Sequence, residues 1–209
     1  MAKYGVFIIE FLREGDYNEG DNLNEILKLS RIPAKYVWVD TEEELQMALA
    51  KFNSSNFRYL YISCHADNEG FELNGNSISN LEFKRMSDKY LKNKRVFISA
   101  CRGANRELAS YLIVGNGAYS LIGTPTDVDF DKAALFWPSF FHLINEIDAN
   151  KMRRVDIINI TKKLVQLFDI PIHYYSKIKN EENFIRRVIV KPSKVDNRKI
   201  KISVKPLFI

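Results

Sequence analysis

Short, nearly continuous apolar runs alternate with amphipathic segments along most of the chain, and this alternation constrains the fold more than any other feature. Such runs are typical of strands covered on both faces, whereas an apolar residue at every third or fourth position indicates a helix. The predicted strands cover residues 4–11, 36–39, 59–64, 95–100 and 119–123. Strands that alternate with helices predict the α/β class, here a three-layer α/β/α sandwich with a mostly parallel central sheet.

Helices are predicted between these strands and after the last of them. The first begins after an N-cap at Asp21 or Asn22, and the second begins at a capping box over 41–44. Four further helices are predicted over 81–91, 104–114, 131–147 (interrupted or restarted at Pro138) and 155–168. Asn74-Gly75 between two short alternating runs predicts a β-hairpin. Terminal strands are predicted over 187–190 and 200–204.

Length and composition favour one domain over 1–209, with a core over 1–149 and a basic C-terminal extension over 150–209. That extension holds 15 Lys+Arg and 5 Asp+Glu. No apolar stretch is long enough for a membrane span or a signal peptide, so we expect no membrane contact and a cytoplasmic location. Two cysteines and three scattered histidines predict neither a disulfide framework nor a metal site.

The sharpest chemical feature is a pair of residues, His65 and Cys101, that each follow directly on a predicted strand. If the two strands are parallel neighbours, about 4.8 Å apart, the imidazole and the thiol emerge at the same edge of the sheet. Open α/β sheets carry out their chemistry at the carboxyl ends of their strands. A thiol beside an imidazole is the minimum equipment of a cysteine nucleophile, and a helix predicted to begin near Ala104 would favour the thiolate. Each residue taken alone is more often structural, so the prediction depends on their matched placement.

The segment Ile-Ser-Ala-Cys-Arg-Gly over 98–103 resembles the cysteine motif of caspases, Q-A-C-[RQG]-G, whose histidine lies about 50 residues upstream. Residues 100–103 match that motif, Ser99 replaces its glutamine, and His65 lies 36 residues upstream of the cysteine. The Ser-Ala-Cys triplet and the pattern after it look more like the CHAT branch of the same cysteine peptidase clan. The resemblance spans roughly residues 4–147.

The resemblance implies a caspase-like fold and a thiol protease that needs no cofactor. Cys101 would be the nucleophile that forms a thioacyl-enzyme, and His65 would be the general acid/base that protonates the leaving amine. The backbone N–H groups of Ala66 and Cys101 would form the oxyanion hole, each donor contributing roughly 3 kcal/mol. The family usually has glycine at the position of Ala66, whose Cβ would narrow the approach of substrate.

Substrate contacts are implied at three further positions. Ser99 stands where caspases carry a glutamine that lines the P1 pocket and where metacaspases often carry an aspartate. Asp127 and Asp129 lie in the loop after the fifth predicted strand, which in this clan often borders the P1 pocket, and there they would select Lys or Arg. Taken alone, the two aspartates are better explained as loop caps or solvent-facing residues.

The first hypothesis is therefore a caspase-like cysteine endopeptidase with a protein substrate and a regulatory protein partner. One alternative is a catalytically inactive caspase-fold adaptor or scaffold, which Ala66 and Ser99 favour slightly. Another is a module that binds nucleic acid or an acidic partner through the basic region 186–205. Aromatic residues are sparse there, so a solvated face is the favoured interpretation of this region and nucleic acid is not the expected partner.

Overall fold

A computed structural model of the chain describes residues 3–178 and 181–192. The strands are β1 (Lys3–Phe11), β2 (Ala34–Trp38), β3 (Phe57–Ala66), β4 (Gly70–Leu73), β5 (Asn76–Ser79), β6 (Arg95–Ser99), β7 (Ser120–Gly123), β8 (Ile172–Ile178) and β9 (Glu181–Val190). The helices are α1 (Glu19–Leu29), α2 (Glu42–Ser54), α3 (Asn80–Ser87), α4 (Arg106–Ser110), α5 (Phe130–Ile147) and α6 (Arg154–Phe168). A π-helical turn (Tyr111–Gly115) continues α4.

The central sheet has the strand order β2-β1-β3-β6-β7-β8-β9. The pairs from β2 to β7 are parallel, and β8 and β9 add two antiparallel pairs at one edge. This confirms an α/β fold with a mostly parallel central sheet. Because β8 pairs with β7, chain beyond residue 149 belongs to the same sheet as the N-terminal strands.

Alternate residues of the central strands pack into two separate cores, one on each face of the sheet. Along β3, Leu60, Ile62 and Cys64 belong to the core that α2, α3 and α4 cover. Tyr59 and Tyr61 belong to the other core, which α1, α5 and α6 cover. Helices on both faces explain why these strands read as continuous apolar runs rather than as alternating ones.

Helix α1 begins earlier than the sequence indicates. An N-cap at Asp21 or Asn22 was the prediction, but Asn18 is the N-cap and Gly20 lies inside the helix. The reason is a contact from outside the helix, since the buried carboxylate of Glu10 on β1 accepts the N–H of Gly20 at 2.6 Å and that of Asp21 at 3.3 Å. A carboxylate at this end satisfies free N–H groups and matches the helix dipole.

Three other helices also differ from the prediction. Helix α3 ends at Ser87 rather than near residue 91, and α4 begins at Arg106 rather than near Ala104. Helix α5 runs through Pro138 without interruption, held by an aromatic face that is buried against the sheet. Phe136, Trp137, Phe140 and Phe141 form that buried face.

The C-terminal part of the fold was the least predictable. β8 was missed, and β9 is longer than the predicted strand over 187–190. The predicted strand over 200–204, and the part of the basic region beyond residue 192, lie outside the described residues. Across the part of the chain that the structure describes, no helix is long and apolar enough to span a bilayer.

Candidate active site

His65 and Cys101 lie beyond paired positions on neighbouring strands. Ser63 of β3 is the register partner of Ser99 of β6, so each candidate residue stands two positions past that pair. The period of two along a strand directs the side chains of residues two apart to the same face. Both side chains line one cavity of about 400 Å³, so the structure brings the two predicted residues together.

The strand that carries His65 is longer than expected. His65 and Ala66 belong to β3 rather than to the loop after it, because they pair with Glu72 and Phe71 of β4. The β4–β5 hairpin, confirmed at Asn74-Gly75, therefore folds against the end of β3. Both turn residues have positive φ, 49° and 80°, as a tight hairpin turn requires.

A carboxylate holds the imidazole of His65. Its Nε2 lies 2.7 Å from Oδ2 of Asp16, in the loop before α1, and the two side chains are 27% and 25% exposed. Phe130, the first residue of α5, meets the imidazole edge-on at 5.8 Å between ring centroids. The ring is thus oriented by one polar and one apolar neighbour.

Asp16 is poised to remain ionised. Burial opposes its charge, but hydrogen bonds from His65 and from the Arg13 N–H, with the nearby positive charge, outweigh burial and place the pKa of Asp16 below its ordinary value. An ionised Asp16 can only accept, so Nε2 of His65 carries the hydrogen and Nδ1 is the basic nitrogen. Asp16 could not be predicted from the sequence, because it lies in a polar loop 49 residues from its partner.

The thiol of Cys101 is partly exposed and faces the loop before α5. Its Sγ lies 3.5 Å from the backbone N of Val128, which donates to it, and 3.7 Å from the carbonyl oxygen of the same residue. A backbone N–H directed at sulfur interacts more strongly with a thiolate than with a thiol. The expected support from a helix dipole is weaker than predicted, because α4 begins at Arg106 and the dipole effect fades within one turn.

The two residues after Cys101 explain part of the Ala-Cys-Arg-Gly motif. Arg102 has φ 55°, a left-handed conformation that is uncommon outside glycine and that clusters at functional sites. A Cβ on Gly103 would lie 2.5 Å from Cγ2 of Ile98. Only glycine therefore lets the chain after Cys101 turn this closely over β6.

The predicted oxyanion and substrate residues occupy different surroundings. Ala66 lines the same cavity as the candidate dyad. Ser99 is buried, and its hydroxyl donates to the carboxyl of Glu19, at 2.9 and 2.8 Å from the two oxygens. The carboxylates of Asp127 and Asp129 form exposed ion pairs with Arg102 (2.8 Å) and Lys132 (3.2 Å) and do not line this cavity.

A buried carboxyl lies beneath the site. Glu19, the first residue of α1, accepts hydrogen bonds from the hydroxyls of Tyr61, Ser63 and Ser99 on β3 and β6. Burial raises its pKa to about 7, helped by the charge of nearby Glu10 and opposed by the three hydroxyl donors. Glu10 and Glu19 are therefore neighbouring buried carboxyls. In the sequence, the one sign of them is that the acidic Glu10 stands inside the apolar run of β1.

The remaining cysteine and histidines are not part of the cavity. Cys64 is buried in the core that α2, α3 and α4 cover, and burial, followed by the charge of Glu19, raises the pKa of its thiol. His142 is exposed. His173 is partly buried, its Nδ1 lies 3.2 Å from the Tyr175 hydroxyl, and burial lowers its pKa. Among residues 3–178 and 181–192, no group of His, Cys, Asp and Glu side chains could hold a metal ion.

Comparison with known proteins adds no family to this picture. No protein-family profile matches the chain, and no curated protein is recognisably similar to it in sequence. Its chemistry has to be inferred from the site itself.

Proposed function

We propose that this protein is a caspase-like cysteine endopeptidase in which Cys101 is the nucleophile and His65 transfers protons. The observation that carries the proposal is that a partly exposed thiol and a carboxylate-held imidazole, from the ends of adjacent parallel strands, line one cavity. The mostly parallel sheet with helices on both faces is compatible with a caspase-like α/β/α sandwich, which we propose as the fold.

In the acylation step, the thiolate of Cys101 forms a bond to the scissile carbonyl carbon. The electron pair moves to the carbonyl oxygen, which the backbone N–H groups of Ala66 and Cys101 are proposed to bind. When the intermediate collapses, the C–N bond breaks and protonated His65 gives its Nδ1 proton to the leaving amine. The product is a thioacyl-enzyme and a free amine.

In the deacylation step, Nδ1 of His65 takes a proton from water as the water oxygen attacks the thioester carbon. The C–S bond breaks, the thiolate returns to Cys101 and the carboxylic acid product leaves. Asp16 touches neither water nor substrate in this scheme, so its role is to fix the imidazole and its tautomer. We further propose that the substrate is a protein. Asp127 and Asp129 would favour Lys or Arg at P1 only where a basic substrate side chain replaces Arg102 or Lys132 as their ion-pair partner.

Covalent labelling tests this proposal directly. The protein is treated with peptidyl electrophiles that carry Arg, Lys or Asp at P1, and adducts are located by mass spectrometry. We expect an adduct on Cys101, loss of that adduct in Cys101→Ala, and normal labelling in Cys64→Ala, because Cys64 is buried with a raised pKa.

Two histidine variants provide the matched comparison. His65→Ala should slow labelling of Cys101, whereas His142→Ala, an exposed histidine outside the cavity, should leave it unchanged. Equal rates in the two variants would argue for an ordinary exposed thiol. The alternative function is a catalytically inactive scaffold. It predicts that peptidyl electrophiles label Cys101 no faster than a simple alkylating reagent does. Labelling only by the Asp probe would overturn the proposed P1 preference.

A further inference from the structure

A second cavity lies at the other end of the sheet, away from the candidate active site. Its volume is about 580 Å³, within the range of small-molecule sites. It opens at the start of β3 and β6, just before β7, and at the connection from α5 to α6. Its lining residues are Arg58, Tyr59, Asn93, Arg95, Tyr119, Lys151, Met152, Arg153 and Arg154.

The lining is strongly cationic. Five of its nine residues are Lys or Arg, and no acidic side chain is among them. Of the five cations, Arg153 has carboxylates nearby. It forms an ion pair with Asp156 at 2.7 Å and interacts more weakly with the charge of Asp148. Among the described residues, the other four cations have no carboxylate at ion-pair distance. The fold therefore concentrates positive charge here, and ion pairs within the described residues neutralise only part of it.

Among these cations, Arg95 gives the strongest evidence for an anion site, because it is only 9% exposed. Its guanidinium donates to neutral groups alone, namely the hydroxyls of Ser120 (3.0 Å) and Tyr174 (3.2 Å) and the carbonyl of Met152 (2.9 Å). It also stacks 4.5 Å from the centre of the Tyr119 ring. A buried charge without a counter-ion is costly, and a bound anion would remove that cost.

Arg154, which also lines the cavity, adds two further features. Nε of Arg154 is buried and has no hydrogen-bond partner within the part of the chain that the structure describes. Arg154 is also the first residue of the 15-residue helix α6, whose N-cap, Arg153, makes no side-chain capping bond. Uncapped N–H groups and the positive end of the helix dipole favour an anion beside a guanidinium that lacks a partner.

We propose that this cavity binds a small polyphosphate anion, either free or as the phosphate chain of a nucleotide. Several unneutralised cations around one concave site match a ligand with more than one negative charge, and guanidinium groups match phosphate oxygens in geometry. Tyr119, which is 45% exposed, leaves ring surface at the rim for an attached base. The site is distinct from the basic region 186–205, and it holds whether or not Cys101 is a nucleophile.

Calorimetric titration of the full chain tests the proposal, with sodium pyrophosphate, ATP and adenosine as separate ligands at about 0.15 M ionic strength. We expect pyrophosphate and ATP to bind and adenosine not to bind. Tighter binding of ATP than of pyrophosphate would assign the ligand to nucleotides, and equal affinities would assign it to free polyphosphate. A rise in Tm with either anion would support the same conclusion.

Two double variants with the same change of net charge separate the cavity from general electrostatics. K151Q/R154Q alters the cavity, whereas K162Q/K163Q alters exposed residues further along α6. We expect the first pair to weaken pyrophosphate binding by about tenfold or more and the second to leave it unchanged. Urea unfolding of both variants establishes that they are folded.

Three results would overturn the proposal. The first is that neither pyrophosphate nor ATP binds to the unmodified protein. The second is equal weakening by the two double variants. The third is cavity-dependent binding of a single-stranded oligonucleotide that is tighter than that of either small anion, which would assign the cavity to nucleic acid.

Discussion

The buried carboxyl of Glu19 makes a quantitative prediction about stability. Its pKa rises from 4.5 to about 7 in the folded chain, mainly because burial penalises the charged form. A tenfold change in proton affinity is worth about 1.4 kcal/mol, so the shift corresponds to about 3 kcal/mol. Between these two pKa values the folded state binds more protons than the unfolded state.

The sign of the pH dependence follows from that proton balance. The contribution of Glu19 is fully present below pH 4.5 and is lost as the pH rises through about 7, so the free energy of unfolding decreases over this window. Glu10 acts in the same direction, because burial also raises its pKa, against the donors that bind it. Glu19→Gln keeps an oxygen that accepts from Ser99 and Tyr61 but removes the titration.

Urea unfolding at several pH values between 5 and 8 measures this effect. We expect the stability of Glu19→Gln relative to the unmodified protein to increase by about 2–3 kcal/mol from pH 5 to pH 8, since part of the full change falls below pH 5. Glu43→Gln, which changes an exposed residue of α2, should give a nearly constant difference. A constant difference for Glu19→Gln as well would refute the reasoning, because the side chain would then titrate alike in both states.

Three other predictions concern the site. Asp16→Asn should lower the rate of peptidyl labelling by about 10²-fold, the lower end of general acid–base contributions, while Asp21→Asn on exposed helix surface should not. Gly103→Ala should cost about 1–3 kcal/mol of unfolding free energy, whereas Gly115→Ala, which meets only the end of a flexible lysine, should cost less than half as much. Asp127→Asn should lower kcat/KM for Arg-P1 peptides about tenfold relative to Asp-P1 peptides, and an unchanged ratio would contradict a role in selecting P1.

The parallel part of the fold could be predicted because its signals are local. Continuous apolar runs, the Asn74-Gly75 turn and the aromatic face of α5 each follow from a short window of residues. β8 was missed because Ile172–Ile178 mixes polar and aromatic residues, and its strand conformation depends on pairing with both β7 and β9. The early start of α1 depends on Glu10, which is distant in sequence and is brought there by folding.

The same distinction applies to the site. His65 and Cys101 were found because both follow strands, and strand ends can be read from hydrophobicity. Asp16 and Glu19 were missed because a carboxylate in a polar loop and one at a helix start carry no local mark of their partners. Their roles follow from contacts spanning 49 and 80 residues, to His65 and Ser99 respectively.

Only two residues, Tyr17 and Asn18, connect Asp16 to Glu19. Glu19 is fixed by hydrogen bonds from three hydroxyls on two strands, while Asp16 must reach Nε2 of His65 from the preceding loop. One residue added between them would lengthen the tether by up to about 3.5 Å. Most surface loops tolerate such an insertion, but here it would move the carboxylate of Asp16 out of reach of the His65 imidazole. The length of this loop is therefore as much a part of the site as any side chain.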